Sequence, residues 1–308
     1  MAAARGLLIG YFRHTPLFTS TTKMATSVLE RFWNHFKHKT GNVIGMIHLR
    51  ATPGSPKSSH TVNEIIDIAC REAQIYKDAE LDGVMVENMH DIPYLHTSKV
   101  GPEVTSVMSV VCKEVKKIFS HGPVGVQVLA GANREALAVA KAAGLQFIRA
   151  EGFVFSHVAD EGMMNACAGD LMRYRREIDA EDIMVFTDVK KKHSAHAITA
   201  DVDIVNTSHA AEFFLSDGVV VTGGATGQAA NIADVKAVLG GVTIPVLVGS
   251  GVTCDNYHLY RQAHALIVGS DFKFSGNWQE EIDPARVNAF MEKVKQVRHI
   301  PVESTMIM

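Results

Sequence analysis

Ionisable side chains recur where short apolar runs of the sequence end. They are His48, Glu87, Asn88, Arg149, Glu151 and Asp188, followed by the run Lys190, Lys191, Lys192 and His193. Charged groups at the mouth of a low-dielectric cavity have shifted pKa values and suit proton transfer. If the strand continues to residue 190, Asp188 and Lys190 share one side of it, which suits a base and an acid. A desolvated lysine could instead form a Schiff base with a carbonyl substrate.

These residue types give a set of candidate catalytic groups. We assign that role to His48, Glu87, Asp188, Lys190, Lys192 and His193, and a substrate-binding role to Asn88, Asp91, Arg149 and Glu151. Each has a structural alternative: a loop-capping histidine, a solvated lysine run, or an ion pair between Glu87 and Arg149. Their joint position at the ends of predicted strands favours a site.

Three glycine-rich segments have the pattern of a phosphate-binding rim. V-G-S occurs at 248–250 and again at 268–270, and G-G-A-T-G occurs at 223–227. Glycine lets the backbone approach an anion closely, and N–H groups at a helix start point toward it. The candidate phosphate ligands are Gly224, Thr226, Gly227, Gly249, Ser250, Gly251, Gly269 and Ser270, with Lys273 as a point charge. Glycines that only end strands tightly are the alternative.

Metal binding is a third chemistry that the side chains permit. No H-x-H follows the first apolar run and no H-E-x-x-H occurs anywhere among the 15 histidines, so no zinc motif is recognised. The carboxylates of Glu87, Asp91 and Asp188 suit a hard divalent cation such as Mg²⁺ beside a phosphate. The sequence therefore leaves the cofactor open.

The elements that would position these groups alternate between strands and helices. Strands are predicted over 43–49, 83–88, 124–130, 147–151, 184–189, 218–223, 245–249 and 265–269. The segments between them have helical apolar spacing, as in 62–79. This alternation implies parallel strands joined by right-handed crossovers. Eight repeats in about 250 residues predict an α/β protein with a TIM (β/α)8 barrel.

A doubly wound open sheet is the alternative architecture. It would show a G-x-G-x-x-G turn after its first strand, whereas H-L-R-A-T-P-G occupies that position. Long connections follow several predicted strands, at 50–61, 89–101, 152–160 and 190–199. In a barrel these loops lie at the carboxyl ends of the strands, where binding and catalysis are built.

Composition excludes several classes of protein. The chain has 308 residues, of which 47% are hydrophobic and 20% charged, which is ordinary globular usage. Its apolar runs are strand-length, so no transmembrane helix is predicted. The four cysteines are far apart and form no C-x-x-C pair, which argues against a disulfide framework. Residues 41–308 carry a net charge of −8, which argues against a nucleic acid duplex as partner.

The first forty residues differ from the rest in charge. They hold six basic side chains and one acid, Glu30, and seven hydroxyl side chains lie between Thr15 and Ser27. Basic and hydroxyl residues with few acids are typical of a mitochondrial transit peptide, so a location in the mitochondrial matrix is expected. An amino terminus without a targeting signal is the alternative. The predicted division is a targeting segment over 1–40, a barrel over 41–300 and a tail over 301–308.

Six ordered motifs resemble the BtpA family. They are G-M-I-H-L-R-A-T-P-G-S-P at 45–56, D-G-V-M-V-E-N-M-H-D-I-P at 82–93, D-V-K-K-K-H at 188–193, V-T-G-G-A-T-G at 221–227, V-L-V-G-S-G-V-T at 246–253 and I-V-G-S-D-F-K at 267–273. The resemblance implies a barrel of the ribulose-phosphate-binding group, in a family named for a photosystem I biogenesis protein. It supports as family-pattern positions His48, Glu87, Asn88, Asp91, Asp188, Lys192, His193, Gly227, Gly249, Gly251 and Gly269.

Three functional hypotheses follow. The first is a mitochondrial enzyme that acts on a small phosphorylated metabolite, a sugar or nucleotide phosphate, by isomerisation, aldol-type cleavage or hydrolysis. The second is a non-catalytic assembly or stability factor for a membrane protein complex, acting through a protein partner or as a homo-oligomer. The third is a decarboxylase of the orotidine-phosphate type. It ranks lowest, because that group uses D-x-K-x-x-D and position 193 is histidine.

Overall fold

A closed barrel of parallel strands forms the centre of the computed structural model, which describes residues 26–298. Eleven strands are present in this part of the chain: β1 (Asn42–His48), β2 (Gly83–Glu87), β3 (Val124–Gln127), β4 (Phe147–Ala150), β5 (His157–Ala159), β6 (Gly162–Met164), β7 (Met184–Val189), β8 (Ser194–Ala195), β9 (Gly218–Val221), β10 (Val246–Val248) and β11 (Ala265–Val268). Eight of them close the barrel in the order β1-β2-β3-β4-β7-β9-β10-β11. The predicted (β/α)8 barrel is therefore confirmed.

Helices surround the barrel and connect its strands. They are α1 (Val28–His35), α2 (Val62–Asp78), α3 (Pro102–Ile118), α4 (Asn133–Ala143), α5 (Ala168–Glu177), α6 (Ile204–Phe213), α7 (Ile232–Gly241), α8 (Tyr257–Tyr260) and α9 (Pro284–Arg298). Helix α2 shows why such a segment folds: Thr61 and Glu64 form a reciprocal capping box at its start. Its apolar face, including Ile65, Ala69 and Ala73, is buried against the barrel. No helix between residues 26 and 298 is both long and apolar enough to cross a bilayer.

The inside of the barrel is filled in layers. Apolar side chains from several strands occupy its lower part, among them Met46, Met85, Phe147 and Phe186. Since side chains alternate along a strand, the residue two positions further along each strand also faces inward. These residues are His48, Glu87, Arg149 and Asp188, so the barrel's upper layer is polar and its lower layers are a packed core.

Helix α1 closes the amino-terminal end of the barrel. Phe32 is fully buried, and its ring stacks on Phe36 with centroids 4.4 Å apart. Both rings belong to the same apolar cluster as the barrel's lower layers. The predicted boundary at residue 41 is wrong in this respect, because residues 28–35 are part of the folded barrel. The rest of the predicted targeting segment up to residue 25, and the predicted tail at 301–308, lie outside the described residues.

A small antiparallel sheet lies within two of the long loops that follow barrel strands. Its order is β6-β5-β8, with β5 and β6 contributed by the segment after β4 and β8 by the segment after β7. The long connection predicted at 152–160 contains β5. This sheet brings the turn that contains Asp160 and Glu161 to the cavity at the carboxyl ends of the barrel strands.

Candidate functional site

His48 and Glu87 lie side by side at the carboxyl ends of β1 and β2. The two residues are register partners in the parallel pair, and His48 Nε2 is 3.6 Å from Glu87 Oε2. Burial lowers the pKa of His48 well below its ordinary value, with Lys273, His90 and Lys192 adding to the effect. Burial raises the pKa of Glu87, against the opposing effect of Arg149 and Lys192. The environment therefore favours a neutral imidazole beside a protonated carboxyl group.

Arg149 and Asp188 form a two-point ion pair beside this couple. Arg149 Nε donates to Asp188 Oδ1 at 2.8 Å, and its Nη2 donates to Oδ2 at 2.9 Å. Both side chains are buried, and burial alone would lower the arginine's pKa, but Asp188 raises it. Asp188 is therefore not available as a free base; it orients the guanidinium of Arg149, which lines the cavity.

The lysines predicted for the site have different positions. Strand β7 ends at Val189 and the backbone turns at Lys190 with φ 49°, so Lys190 does not continue the strand beside Asp188. Its Nζ instead donates to the backbone oxygen of Thr199 at 2.7 Å. Lys273 is also withdrawn, because its buried Nζ pairs with Glu72 Oε1 at 2.9 Å. The predictions that Lys190 serves as an acid and that Lys273 contacts a phosphate are therefore corrected.

Lys192 does line the cavity. In residues 26–298 its Nζ forms no hydrogen bond and no ion pair, although its backbone N–H donates to Thr222 Oγ1 at 3.1 Å. Burial lowers the pKa of Lys192, and the positive charge of Arg149 lowers it further. Glu87 and Asp188 oppose that shift. Lys192 is thus an unpaired, partly desolvated amine at the centre of the site.

The cavity has two adjoining lobes. The glycine lobe, about 190 Å³, is lined by Gly227, Gly249, Ser250, Gly251, Gly269 and Ser270, together with His48, Glu87, Arg149 and Lys192. The acidic lobe, about 370 Å³, is lined by Gln127, Glu151, Asp160, Glu161, Lys191, His193, Tyr94 and Trp278. Glu87, Met89, Arg149, Lys192 and Thr226 border both lobes. Most predicted site residues therefore meet in one cavity.

Backbone amides of the glycine lobe are free of protein acceptors. No hydrogen bond from the N–H groups of Gly227, Ser250, Gly251 or Ser270 is formed within the described part of the chain. Gly251 has φ 64°, and a Cβ there would lie 2.2 Å from the Ala229 nitrogen, so the loop needs glycine at this position. Since α8 is a single turn that begins only at Tyr257, the amides of Ser250 and Gly251 lie in a loop rather than at the start of a helix. Ser270 begins a short 3-10 helix, Ser270–Phe272.

Other groups of this lobe are already paired. The amide of Thr226 donates to His193 Nε2 at 3.1 Å, so Thr226 does not offer that donor. Ser250 Oγ holds two loops together, by accepting from the Gly223 N–H and donating to the Gln228 oxygen. Asp271, which sequence reasoning missed, brings a carboxylate to the lobe. That carboxylate accepts from the Cys254 N–H at 3.0 Å and pairs with Arg286 at 2.9 Å, which offsets its charge.

Several predicted site residues lie outside the main cavity. Asn88 and Asp91 line a separate cavity of about 220 Å³, where Asp91 accepts from the Thr52 N–H at 2.6 Å and from Asn88 Nδ2 at 2.9 Å. They fix the loops after β1 and β2. Gly224 does not line the cavity either; its oxygen accepts the His193 N–H. No group of three or more His, Cys, Asp or Glu suited to a metal ion is found in residues 26–298; of the carboxylates predicted to share a cation, Asp91 lines the separate cavity and Asp188 is paired with Arg149.

Sequence reasoning also missed polar residues of the acidic lobe. Gln127 ends β3, and its Nε2 donates to Glu151 Oε1 at 3.2 Å. Lys191 pairs with the same oxygen at 3.2 Å; burial alone would lower the pKa of Lys191, but Glu151 and other acids raise it. The position of Gln127 at a strand end was a usable signal. Trp278 comes from the segment after β11, and no motif marks it.

Comparison with known proteins identifies relatives over most of the chain. A model of the BtpA family matches residues 38–296. An uncharacterized mitochondrial protein of Caenorhabditis elegans is 47% identical over 260 residues, which cover 83% of this chain and 94% of the relative. The photosystem I biogenesis protein BtpA of Synechocystis is 33% identical over 86% of this chain and 92% of its own.

A solved structure supports the same architecture. The orotidine 5'-monophosphate decarboxylase of Methanocaldococcus jannaschii, crystallised with the inhibitor BMP, aligns with a TM-score of 0.51 over 82% of this chain and 97% of its own. Its sequence identity to this chain is 14%. At that level the similarity concerns the barrel fold.

Proposed function

The chain belongs to the BtpA family, and from this premise we propose that it is an enzyme acting on a small phosphorylated metabolite. The phosphate would occupy the glycine lobe, and the reacting carbon would lie beside His48 and Glu87. The observation that carries the proposal is a set of amides next to that couple that have no acceptor within residues 26–298, at Gly227, Ser250, Gly251 and Ser270. These amides come from the loops after β9, β10 and β11, the last three strands of the barrel, where many barrels hold a phosphate.

The opposite pKa shifts of His48 and Glu87 support acid–base chemistry. A neutral imidazole accepts a proton, and a carboxyl group with a raised pKa retains one to donate. Arg149 is held by Asp188 with its positive charge at the border of both lobes, where it would stabilise an anion that develops on the substrate. Isomerisation and aldol-type cleavage both need such a couple opposite a fixed phosphate.

The decarboxylase hypothesis receives less support from this geometry. It depended on Asp188 and Lys190 acting together, but the Lys190 ammonium donates to Thr199 and does not line the cavity. The structurally similar decarboxylase is named for a nucleotide monophosphate. A nucleotide monophosphate is a small phosphorylated molecule, which is the class of substrate that we propose for this chain. We do not propose that this chain is a decarboxylase.

Thermal stability in the presence of phosphate compounds tests the proposal. We expect inorganic phosphate and ribose 5-phosphate to raise the Tm by a few degrees at concentrations well above Kd, because a ligand that binds only the folded state stabilises it. Ser270→Asp places a negative charge in the glycine lobe and should abolish the shift. Gly240→Asp adds the same charge on exposed α7, where nothing lies within 4 Å of the new Cβ, and should retain it. Equal shifts in both variants would contradict the proposal.

A mitochondrial location is part of the proposal. It rests on the basic, acid-poor amino terminus and on the C. elegans relative, which is named as mitochondrial. Import of the full chain into isolated mitochondria should shorten it by removal of residues before Ser27, since Ser27 caps α1. A chain that stays outside the organelle would contradict this location.

A second candidate function is that of an assembly factor that binds a protein. The Synechocystis relative is named for photosystem I biogenesis. Val158 and Met163 are cross-strand partners in the small sheet and are 41% and 48% exposed, so they offer an apolar contact beside the cavity. If this function holds, Val158→Asp should abolish rescue of a deletion phenotype and Ser270→Asp should not; the reverse pattern favours the enzyme.

A further inference from the structure

Lys192 lines the cavity, and its amine has no partner among residues 26–298. We infer that the substrate carries an aldehyde or ketone group as well as a phosphate, and that Lys192 Nζ forms an iminium bond with its carbonyl carbon. This inference rests on the proposed function, because the phosphate in the glycine lobe fixes where the carbonyl lies. It goes further by naming the class of substrate and the residue that binds it covalently.

Comparison with neighbouring lysines carries the inference. Lys190 donates to Thr199, Lys191 pairs with Glu151, and Lys273 pairs with Glu72. Each of these amines already contacts a protein acceptor. Among the four, only the Nζ of Lys192 has no hydrogen bond or ion pair within residues 26–298. An amine must be unprotonated to attack a carbonyl carbon, and freedom from a carboxylate partner favours that state.

The position of Lys192 fits the same role. It borders both lobes together with Glu87 and Arg149, so a carbonyl next to a phosphate bound in the glycine lobe would lie against it. Arg149 places a second positive charge near Lys192, and this charge and burial both disfavour the ammonium form. A surface lysine has neither influence. Lysines activated for imine formation use burial or a neighbouring cation in this way.

The chemical step is balanced by the groups present. The neutral amine attacks the carbonyl carbon, a C–N bond forms as the C=O π bond breaks, and one proton passes from the nitrogen to the oxygen to give a neutral carbinolamine. The carboxyl group of Glu87 donates a proton to the departing hydroxyl, which leaves as water and gives the iminium. The Glu87 carboxylate, or neutral His48, then accepts a proton from the neighbouring carbon. No oxidant, reductant or cofactor is consumed.

Borohydride trapping tests the inference on the intact chain. The protein is incubated with ribose 5-phosphate or dihydroxyacetone phosphate, treated with cyanoborohydride and measured by mass spectrometry. We expect a mass gain equal to that of the sugar phosphate minus one oxygen atom, located on Lys192 by peptide mapping. Lys192→Arg should lose the label, because a guanidinium does not form an iminium, and should keep the thermal shift with phosphate, because the amides of the glycine lobe are unchanged. Lys190→Arg, two positions away in the chain and outside the cavity, should keep both.

The other outcomes separate this inference from the proposed function. A thermal shift with these sugar phosphates but no trapped mass would overturn the inference and leave the phosphate site intact. Labelling spread over many lysines, or equal labelling by ribose without phosphate, would overturn it as well. If neither compound shifts the Tm and neither labels Lys192, both the inference and the proposed function fail.

Discussion

The two ends of the barrel differ in whether their buried ionisable side chains have hydrogen-bond partners. At the amino-terminal end, Asp217 is buried and fully used: it pairs with Arg31 and Arg175 at 2.8 and 2.9 Å and accepts the Val185 N–H at 2.8 Å. At the carboxyl end, Glu87 and Lys192 are also largely buried, yet neither side chain donates or accepts a hydrogen bond in the described residues.

This difference distinguishes structural from functional burial of ionisable groups. A buried polar group without partners costs stability, so proteins keep one where a ligand completes its interactions. The amino-terminal end has been closed by the aromatic rings of α1, whereas the carboxyl end retains a cavity of two lobes. We therefore expect substitutions at the first end to change stability and those at the second to change binding.

The largest expected change in stability comes from removing apolar contacts at the amino-terminal end of the barrel. Phe32→Ala removes a fully buried ring from the apolar cluster and should lower the free energy of unfolding by about 3–5 kcal/mol. Phosphate binding in the folded fraction should stay unchanged, because the cavity is at the other end. Urea denaturation measures the loss. Trp33→Ala on the same helix is the control, because Trp33 is 38% exposed. A loss as large as that of Phe32→Ala would contradict the conclusion that the buried face of α1 closes this end of the barrel.

A second prediction concerns a charged pair near the open end that behaves like those at the closed end. Lys273→Met leaves Glu72 buried without its partner and should cost about 3–5 kcal/mol of stability. Adding Glu72→Leu should recover most of that loss, since a buried pair can be replaced by apolar side chains. Lys295→Met, which breaks an exposed pair with Glu80, should change little. Failure of the double variant to recover would show that Lys273 acts on more than Glu72.

The smallest predicted effect is on the pH dependence of stability. Burial lowers the pKa of His90 to about 4, with Arg50 and Lys273 contributing. In the unfolded chain this histidine binds a proton near pH 6.5, whereas in the folded chain it stays neutral until about pH 4. The free energy of unfolding therefore falls as the pH falls from 6.5 toward 4. Its slope is at most about 1.4 kcal/mol per pH unit.

Comparison of variants isolates this contribution. The raised pKa values of Glu72 and Glu87 make stability change in the opposite direction, so the total curve mixes the effects. The difference between the wild-type and His90→Gln curves should appear only below about pH 6.5. The exposed His258 provides the control as His258→Gln. A His90→Gln curve parallel to the wild type across this range would count against the buried position of His90.

The barrel could be read from the sequence because its signals are local. Apolar, β-branched runs mark the eight barrel strands, and the main error is at β3, which ends at Gln127 rather than residue 130. The strand-end rule also placed His48, Glu87 and Arg149 in the site, since parallel strands bring their carboxyl ends together. Helix α1 was missed although Ser27 and Glu30 form a capping box, because the basic composition of its surroundings was assigned to targeting.

What the sequence could not provide depends on contacts between distant segments. Lys273 and Glu72 are 201 positions apart, and no local pattern indicates that they pair. The turn at Lys190 has φ 49° in a residue that is not glycine. The prediction that Lys190 lies on the same side of the strand as Asp188 therefore failed. The withdrawal of Lys190 and Lys273 leaves Lys192 as the free amine, and this distinction needs the tertiary structure.

A crystal structure with inorganic phosphate tests the central claim most directly. The account predicts an anion in the glycine lobe, with its oxygens about 2.7–3.2 Å from the amides of Gly251 and Ser270 and its outer side toward Lys192 and Arg149. The same soak of Ser270→Asp should leave the lobe without the anion. Phosphate bound only on the outer surface, with the lobe filled by water at saturating concentration, would contradict the account.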